Sequence, residues 1–261
     1  MARKRKTTPG PYLSHLELLR NHVPDQNCYP YNLPAFQALT KLFFHPKVTF
    51  LVGENGSGKS TLLEAIAVEY GLNPEGGSRN FNFATRPSHS TLNGCISLAK
   101  KATPRDSFFL RAESFYNVAT EIDHLGDGLI DSYGGKSLHE QSHGESFFAL
   151  FKNRFRGNGL YFLDEPEAAL SPNRQLSFLA LLHDFVHDGA QFVIATHSPI
   201  ILAYPDALIY QLDARGIREI AYKETEHYRV TRGFLVNPDR SLSELLAIRE
   251  TGDLECEKNE P

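Results

Sequence analysis

The chain has 261 residues, of which 41% are apolar and 22% charged, with a formal net charge of −4. This is the profile of a folded globular protein long enough to bury a large core, and its negative balance argues against a surface built throughout for nucleic acid. No run approaches the ~20 consecutive apolar residues of a membrane-spanning helix, and Cys28, Cys95 and Cys256 are too scattered for a disulfide framework or a metal cluster.

The N-terminus is basic from Arg3 to Lys6 but lacks the apolar segment and cleavage site of a secretory signal, so it reads as a solvated arm and a reducing, cytoplasmic setting is expected. Residues 1–30 carry four prolines and read as irregular apart from a short helix around Ser14–Arg20. Val48 to Val52 is a buried strand ending at Gly53, and from Gly58 the apolar spacing turns helical until Gly71. Residues 72–100 read as irregular, Ser107–Leu110 as a strand, Phe115–Leu125 as an amphipathic helix and Gly126–Gly144 as glycine-rich, with a helix from about Glu145 to Phe155. Leu160–Leu163 is another buried strand, ending on Asp164 and Glu165. Ser171 and Pro172 open a helix that runs to Gly189 and is apolar on most sides, as expected of one buried between two layers. Gln191–Ala195 forms a third buried strand, and Ala207–Leu212 with Ile217–Tyr222 forms a hairpin. Strands alternating with helices predict an α/β fold with a mostly parallel sheet flanked by helices. The expected organisation is an irregular segment over 1–30, a main domain over 31–225 with a small helical lid insert at about 80–135, and a helical tail over 226–261.

Three motifs carry chemistry. In Gly53-x4-Gly58-Lys59-Ser60 the glycines let backbone N–H groups turn inward around phosphates, and the following helix presents its positive end to them. Glu54, Asn55, Gly56, Ser57, Gly58, Lys59, Ser60 and Thr61 are the expected cradle, with Lys59 reaching the β- and γ-phosphates and the Ser60 hydroxyl serving Mg²⁺. Asp164, leaving a buried strand, is placed to hold that Mg²⁺, and Glu165 to act as general base towards water. Thr196-His197 follows the third strand, where a histidine can sense a γ-phosphate. A glycine turn, a polar strand end and a structural histidine are the ordinary readings of each motif alone; their order and strand-end placement favour chemistry. Tyr29, Tyr31 and Phe36 are candidates for stacking on a base, although packing is the default for each and none is assigned.

Gly53–Ser60, Asp164–Ser171 and Thr196–Pro199 together resemble the Walker A, Walker B with D-loop, and H-loop of ABC-type ATPases. Within that superfamily the chain is similar to the stand-alone AAA family ATPases and to SMC- and RecF-type repair ATPases. Gln141–Ser146 aligns with the family's signature, with His143 in place of a glycine and Glu145 in place of the glutamine. The resemblance implies P-loop NTPase architecture, ATP and Mg²⁺ as ligands, and a homodimer in which Ser142 and Gly144 serve the partner's nucleotide. Ser171 stands where the family's D-loop aspartate is usual, and no glutamine occurs between Lys59 and Gln141, so the Q-loop role is absent or passes to a residue near Arg111–Asn117.

A guanine-nucleotide motif is missing, and a small-molecule P-loop kinase would not need the whole set. Roughly a hundred residues separate Lys59 from Asp164 without heptads, which excludes long coiled-coil arms. The expected function is therefore a soluble ATPase, switched by ATP-dependent dimerisation and acting on DNA or a protein partner. The competing expectation is the nucleotide-binding subunit of a membrane transporter.

Overall fold

A computed structural model describes residues 11–78, 90–112 and 143–256. They fall into two compact units, one ending at Ile220 and the other starting at Ala221.

The first unit is built on a six-stranded sheet. Its strands are β3 (Val48–Val52), β5 (Asp106–Arg111), β6 (Gly159–Asp164), β7 (Gln191–Ala195), β8 (Leu208–Asp213) and β9 (Gly216–Glu219), in the order β5-β6-β7-β3-β8-β9. All neighbours are parallel except the β8–β9 hairpin. Every residue of β3, β6 and β7 is buried, which explains their unbroken apolar runs: a parallel sheet covered on both faces has no solvent side to alternate towards. Helix α1 (Pro34–Gln37) is a single turn that precedes β3 in the chain, and helix α2 (Lys59–Tyr70) follows β3 and packs on β6 and β7.

Beside this sheet lies an antiparallel one, β2-β1-β4, formed by β1 (Leu13–Leu18), β2 (Lys41–Phe43) and β4 (Ile96–Lys100). Here the sequence reading is corrected. Residues 13–18 form a strand, not a short helix in an irregular segment. The cause is a register shift between Leu13 and His15 in the pairing with β4, so that the buried residues fall at 13, 16 and 18. A bulge of this kind breaks period-two alternation and imitates helical spacing. Residues 96–100 are likewise a strand, and 106–111 belong to the central sheet, so this stretch is part of the domain body and not of an insert. The rest of the expected insert, the helix over Phe115–Leu125 and the glycine-rich segment up to 142 lie outside the described residues.

Helix α3 (His143–Arg154) and helix α4 (Pro172–His187) cover the sheet further on. Ser171 is the N-cap of α4 and Pro172 its first residue, but the Ser171 side chain makes no capping hydrogen bond. The expectation that α4 is buried between two layers is also corrected. Leu176 is 58% exposed, and its buried residues are Phe178 and Leu182, four apart on one face. Phe178 meets the edge of the Phe151 ring at 5.0 Å and joins a cluster with Phe147, Phe155 and Tyr161. Each such ring contributes about 1.5–3 kcal/mol by its burial.

One buried side chain ties the two sheets together by hydrogen bonds. Gln191, fully buried at the start of β7, accepts from the N–H groups of Tyr12 (2.8 Å) and Leu13 (2.9 Å), and donates to the carbonyls of Leu13 and His45, each at 2.9 Å. All four of its hydrogen-bonding positions are in use.

The second unit is helical. Thr225 caps α5 (Glu226–Val236) by accepting from the Tyr228 N–H, and α5 packs on α6 (Pro238–Cys256). Among the described residues no helix is long and apolar enough to cross a membrane.

Replacing Gln191 by Leu keeps the volume and strands four backbone groups, three of them buried, so Gln191→Leu is expected to destabilise the first unit by about 3 kcal/mol. Urea unfolding followed by circular dichroism measures it, and a loss below 1 kcal/mol would show that the sheets are held together by packing alone.

Candidate nucleotide site

The site lies at the carboxyl ends of β3, β6 and β7, where open α/β sheets form their binding crevices. Gly53 leaves β3 at φ +153°, and a Cβ there would sit 2.3 Å from the Leu212 carbonyl oxygen, so only glycine fits. Gly58 is left-handed at φ +98°, and its missing Cβ leaves room for the Phe36 ring, 3.0 Å from where that atom would be. Gly58 is the N-cap of α2 and offers no side chain to satisfy the first-turn N–H groups, which leaves a positive helix end facing the loop. The buried Ser57 hydroxyl also has no hydrogen-bond partner among the described residues. Together these are the donors an anion would use.

Lys59 is buried, and its ammonium donates to the carbonyls of Gly53 (2.8 Å) and Glu54 (2.9 Å). Burial pushes its pKa below the ordinary lysine value, opposed by the negative charges of Glu165, Asp164 and Glu167. Glu54, Asn55 and Gly56 form the exposed rim of the loop, and Thr61 shares a 2.7 Å hydrogen bond with the hydroxyl of Tyr29.

The Ser60 hydroxyl lies 2.9 Å from Oδ1 of Asp164, which is buried at the end of β6. A hydroxyl and a carboxylate oxygen side by side are the hard donors that Mg²⁺ takes from a protein, its remaining positions going to phosphates and water. This pair therefore fits the ion expected with a nucleotide. Among the described residues no group of three or more His, Cys, Asp or Glu forms a self-contained cage.

Glu165 follows in the left-handed region, φ 51° and ψ 53°, an uncommon conformation for a residue with a side chain. Its N–H is tied to the Ala195 carbonyl at 2.9 Å, and its Oε1 lies 3.6 Å from Nε2 of His197. His197 is held in turn by Glu167. That carboxylate accepts from the His197 N–H at 2.5 Å and from the Thr196 hydroxyl at 2.7 Å. Burial, followed by the nearby Lys59 ammonium, lowers the His197 pKa below its ordinary value, against the pull of Glu165 and Glu167.

The structure thus gathers Lys59, Ser60, Asp164, Glu165 and His197 into one site. Ser142 lies outside the described residues; Gly144 is in the first turn of α3. Of the three aromatic candidates, Tyr31 and Phe36 are buried and Tyr29 is 63% exposed. One residue was missed by sequence reasoning: Glu167, which had a signal in its place two residues after Glu165. Arg111, the first of the stretch expected to take over the role of the missing glutamine, lies with its Nη1 2.7 Å from Glu64 and its Nε 3.6 Å from Asp164.

Fold and site together define a P-loop nucleoside triphosphatase. An AAA-domain family model matches residues 32–111, and a second, described as "AAA domain, putative AbiEii toxin, Type IV TA system", matches residues 101–203. The cytochrome c biogenesis ATP-binding export protein CcmA of Rhodopseudomonas palustris is 29% identical over 162 residues, covering 58% of this chain and 78% of that protein. The hemin import ATP-binding protein HmuV of Gloeobacter violaceus is 28% identical over 195 residues, covering 65% of this chain and 70% of that one. The chain is thus similar to ABC-type ATP-binding proteins, and its enzymatic activity is ATP hydrolysis. Among solved structures, the SMC head domain from Thermotoga maritima is 17% identical, with a TM-score of 0.45 over 80% of this chain and 99% of that one.

The His197 shift gives a measurable consequence. In the nucleotide-free protein its imidazole is expected to titrate below 6.5, and Lys59→Ala, by removing a repelling positive charge, is expected to move that titration upward. Nitrogen-15 NMR of the imidazole across pH 4–8 reads both. A His197 titration unmoved by Lys59→Ala would remove the electrostatic link between the two residues.

Proposed function

We propose that the protein is a soluble, Mg²⁺-dependent ATP switch. In this reading ATP closes a homodimer, hydrolysis opens it, and the cycle acts on a nucleic-acid or protein partner. The observation that carries it is the contact of Ser60 with Asp164 beside the Glu165–His197 pair, all at one end of the sheet.

The roles follow from the chemistry. Backbone N–H groups of Glu54 to Thr61 and the Lys59 ammonium hold the phosphates, while Ser60 and Asp164 hold Mg²⁺, which supplies charge neutralisation on the phosphate oxygens. Glu165 accepts the proton of a water that attacks the γ-phosphorus, and the bond to the ADP oxygen breaks. His197, predominantly neutral at pH 7 because its pKa is lowered, can donate one N–H towards a γ-phosphate oxygen. Tyr29, the exposed aromatic tied to the phosphate-loop helix, is the platform for the adenine ring.

The dimer is supported by the open rim of the site. Glu54, Asn55 and Gly56 are exposed, and Glu165 and His197 are partly so, leaving a side for a second copy to close with Ser142 and Gly144. The toxin–antitoxin wording of one matched family agrees with a partner-directed role. A second reading, the nucleotide-binding subunit of a membrane transporter, is favoured by the two relatives named for export and import.

Glu165→Gln is expected to bind ATP, lose at least a hundredfold in hydrolysis, and run as a dimer with Mg·ATP in light scattering. Normal turnover would exclude Glu165 as the base, and a persistent monomer would exclude the dimer. Captured from lysate with and without nuclease, the same variant separates DNA and protein partners from integral membrane proteins, whose retention would favour the transporter reading. Tyr29→Ala is expected to weaken ATP binding by about 1–3 kcal/mol, the range of base–aromatic stacking, while Tyr29→Phe keeps most of it; calorimetry distinguishes them.

A further inference from the structure

Arg111 is the last residue of β5, and its register partner across the sheet is Asp164. Among the described residues its guanidinium lies against the carboxylates of Glu64 and Asp164. Nη1 lies 2.7 Å from Oε2 of Glu64, and Nε lies 3.6 Å from Oδ2 of Asp164. Glu64 stands one turn beyond Ser60 on α2, is itself nearly buried, and accepts from the Ser90 N–H with its other oxygen at 3.3 Å. The other oxygen of Asp164 accepts from Ser60. A fixed cation therefore already faces the carboxylate given above to Mg²⁺, and a second carboxylate beside it shares that cation.

We propose that Arg111 is a positioning residue that stands in for the divalent cation when no nucleotide is bound, and that Glu64 sets how tightly it does so. This rests on Asp164 being the metal carboxylate. With Arg111 in place, Asp164 is kept aimed at Ser60 with its charge compensated, so the pair does not need an ion to stay together. When the ion comes with the nucleotide, two cations compete for one carboxylate, and in a partly buried site that repulsion is weakly screened. Glu64 provides Arg111 with a partner during that competition. An arginine suits the task because its planar fork reaches two carboxylates at once and never loses its charge.

The two acidic and basic members then have opposite effects. Arg111→Gln removes the competitor and is expected to lower the Mg²⁺ concentration that half-saturates nucleotide binding by about tenfold. Glu64→Gln removes the carboxylate that lies 2.7 Å from Arg111, strengthens the hold of Arg111 on Asp164, and is expected to raise it by a similar factor. In this proposal Glu64 influences Asp164 through Arg111, so the double variant is expected to behave like Arg111→Gln. Calorimetric binding of a non-hydrolysable ATP analogue, titrated over a range of Mg²⁺ concentrations, reads all three without turnover, and circular dichroism checks that each is folded. Shifts in the same direction, no shift in either single variant, or a double variant that follows Glu64→Gln would overturn the proposal. Asp164→Asn separates its failure from that of the metal assignment. If Asp164→Asn leaves the Mg²⁺ dependence intact, the metal assignment fails. If it removes that dependence while Arg111→Gln and Glu64→Gln do not diverge, only the stand-in role fails.

Discussion

The hydrogen-bonded register of the central sheet sets where every reactive group lies. Arg111 pairs with Asp164, Asp164 with Ala195, Ala195 with Leu51, and Leu51 with Tyr210, one row crossing five parallel strands. Each chain leaves the sheet at or just past that row, so the phosphate loop, the Asp164–Glu165 turn and the Thr196–His197 turn emerge side by side. A one-residue slip in a parallel pairing would exchange the faces of a whole strand and bury its outward set, and the fully apolar runs of β3, β6 and β7 resist it only collectively. Register is therefore the constraint on which the site's geometry rests.

Within that frame the site is a balance of charge at close range. Lys59 and Arg111 stand among Asp164, Glu165, Glu167 and Glu64, and the lysine's ammonium bonds to the loop's own carbonyls. Such a cluster tolerates the arrival of a highly charged ligand because cations already present can exchange partners instead of being newly desolvated. The left-handed backbone at Glu165 belongs to the same economy of space. It turns the carboxylate towards His197 immediately after a buried strand, and the Glu165 N–H bond to Ala195 holds the turn.

Much of this was legible in the residues. The strand–glycine loop–helix pattern around Gly53 to Ser60, the acidic pair after Leu163 and the histidine after Ala195 are local signals, each within a few positions of the element that presents it. Elements whose identity depends on a distant partner were not legible. The β1 strand was hidden because a bulge opposite β4 gave its leucines a helical spacing, and the exposure of Leu176 on α4 could not be told from the buried Phe178 without knowing which neighbour it faced. Glu167 escaped, and Arg111 was placed only as one of a candidate stretch, for the same reason: their hydrogen-bond and ionic partners lie about thirty to fifty positions away and meet them only through the sheet.

The sequence by itself determined the class of chemistry, because a glycine-rich phosphate cradle, an acidic pair at a strand end and a histidine after the next strand are short-range patterns of residue type. Only the tertiary structure decided that Ser60 meets Asp164, that Tyr29 and not Tyr31 or Phe36 is open to solvent, and that an arginine from a separate strand faces Asp164. These are facts of strand order and register. They are fixed by the packing of the whole sheet at once and leave no trace in the residues immediately around them.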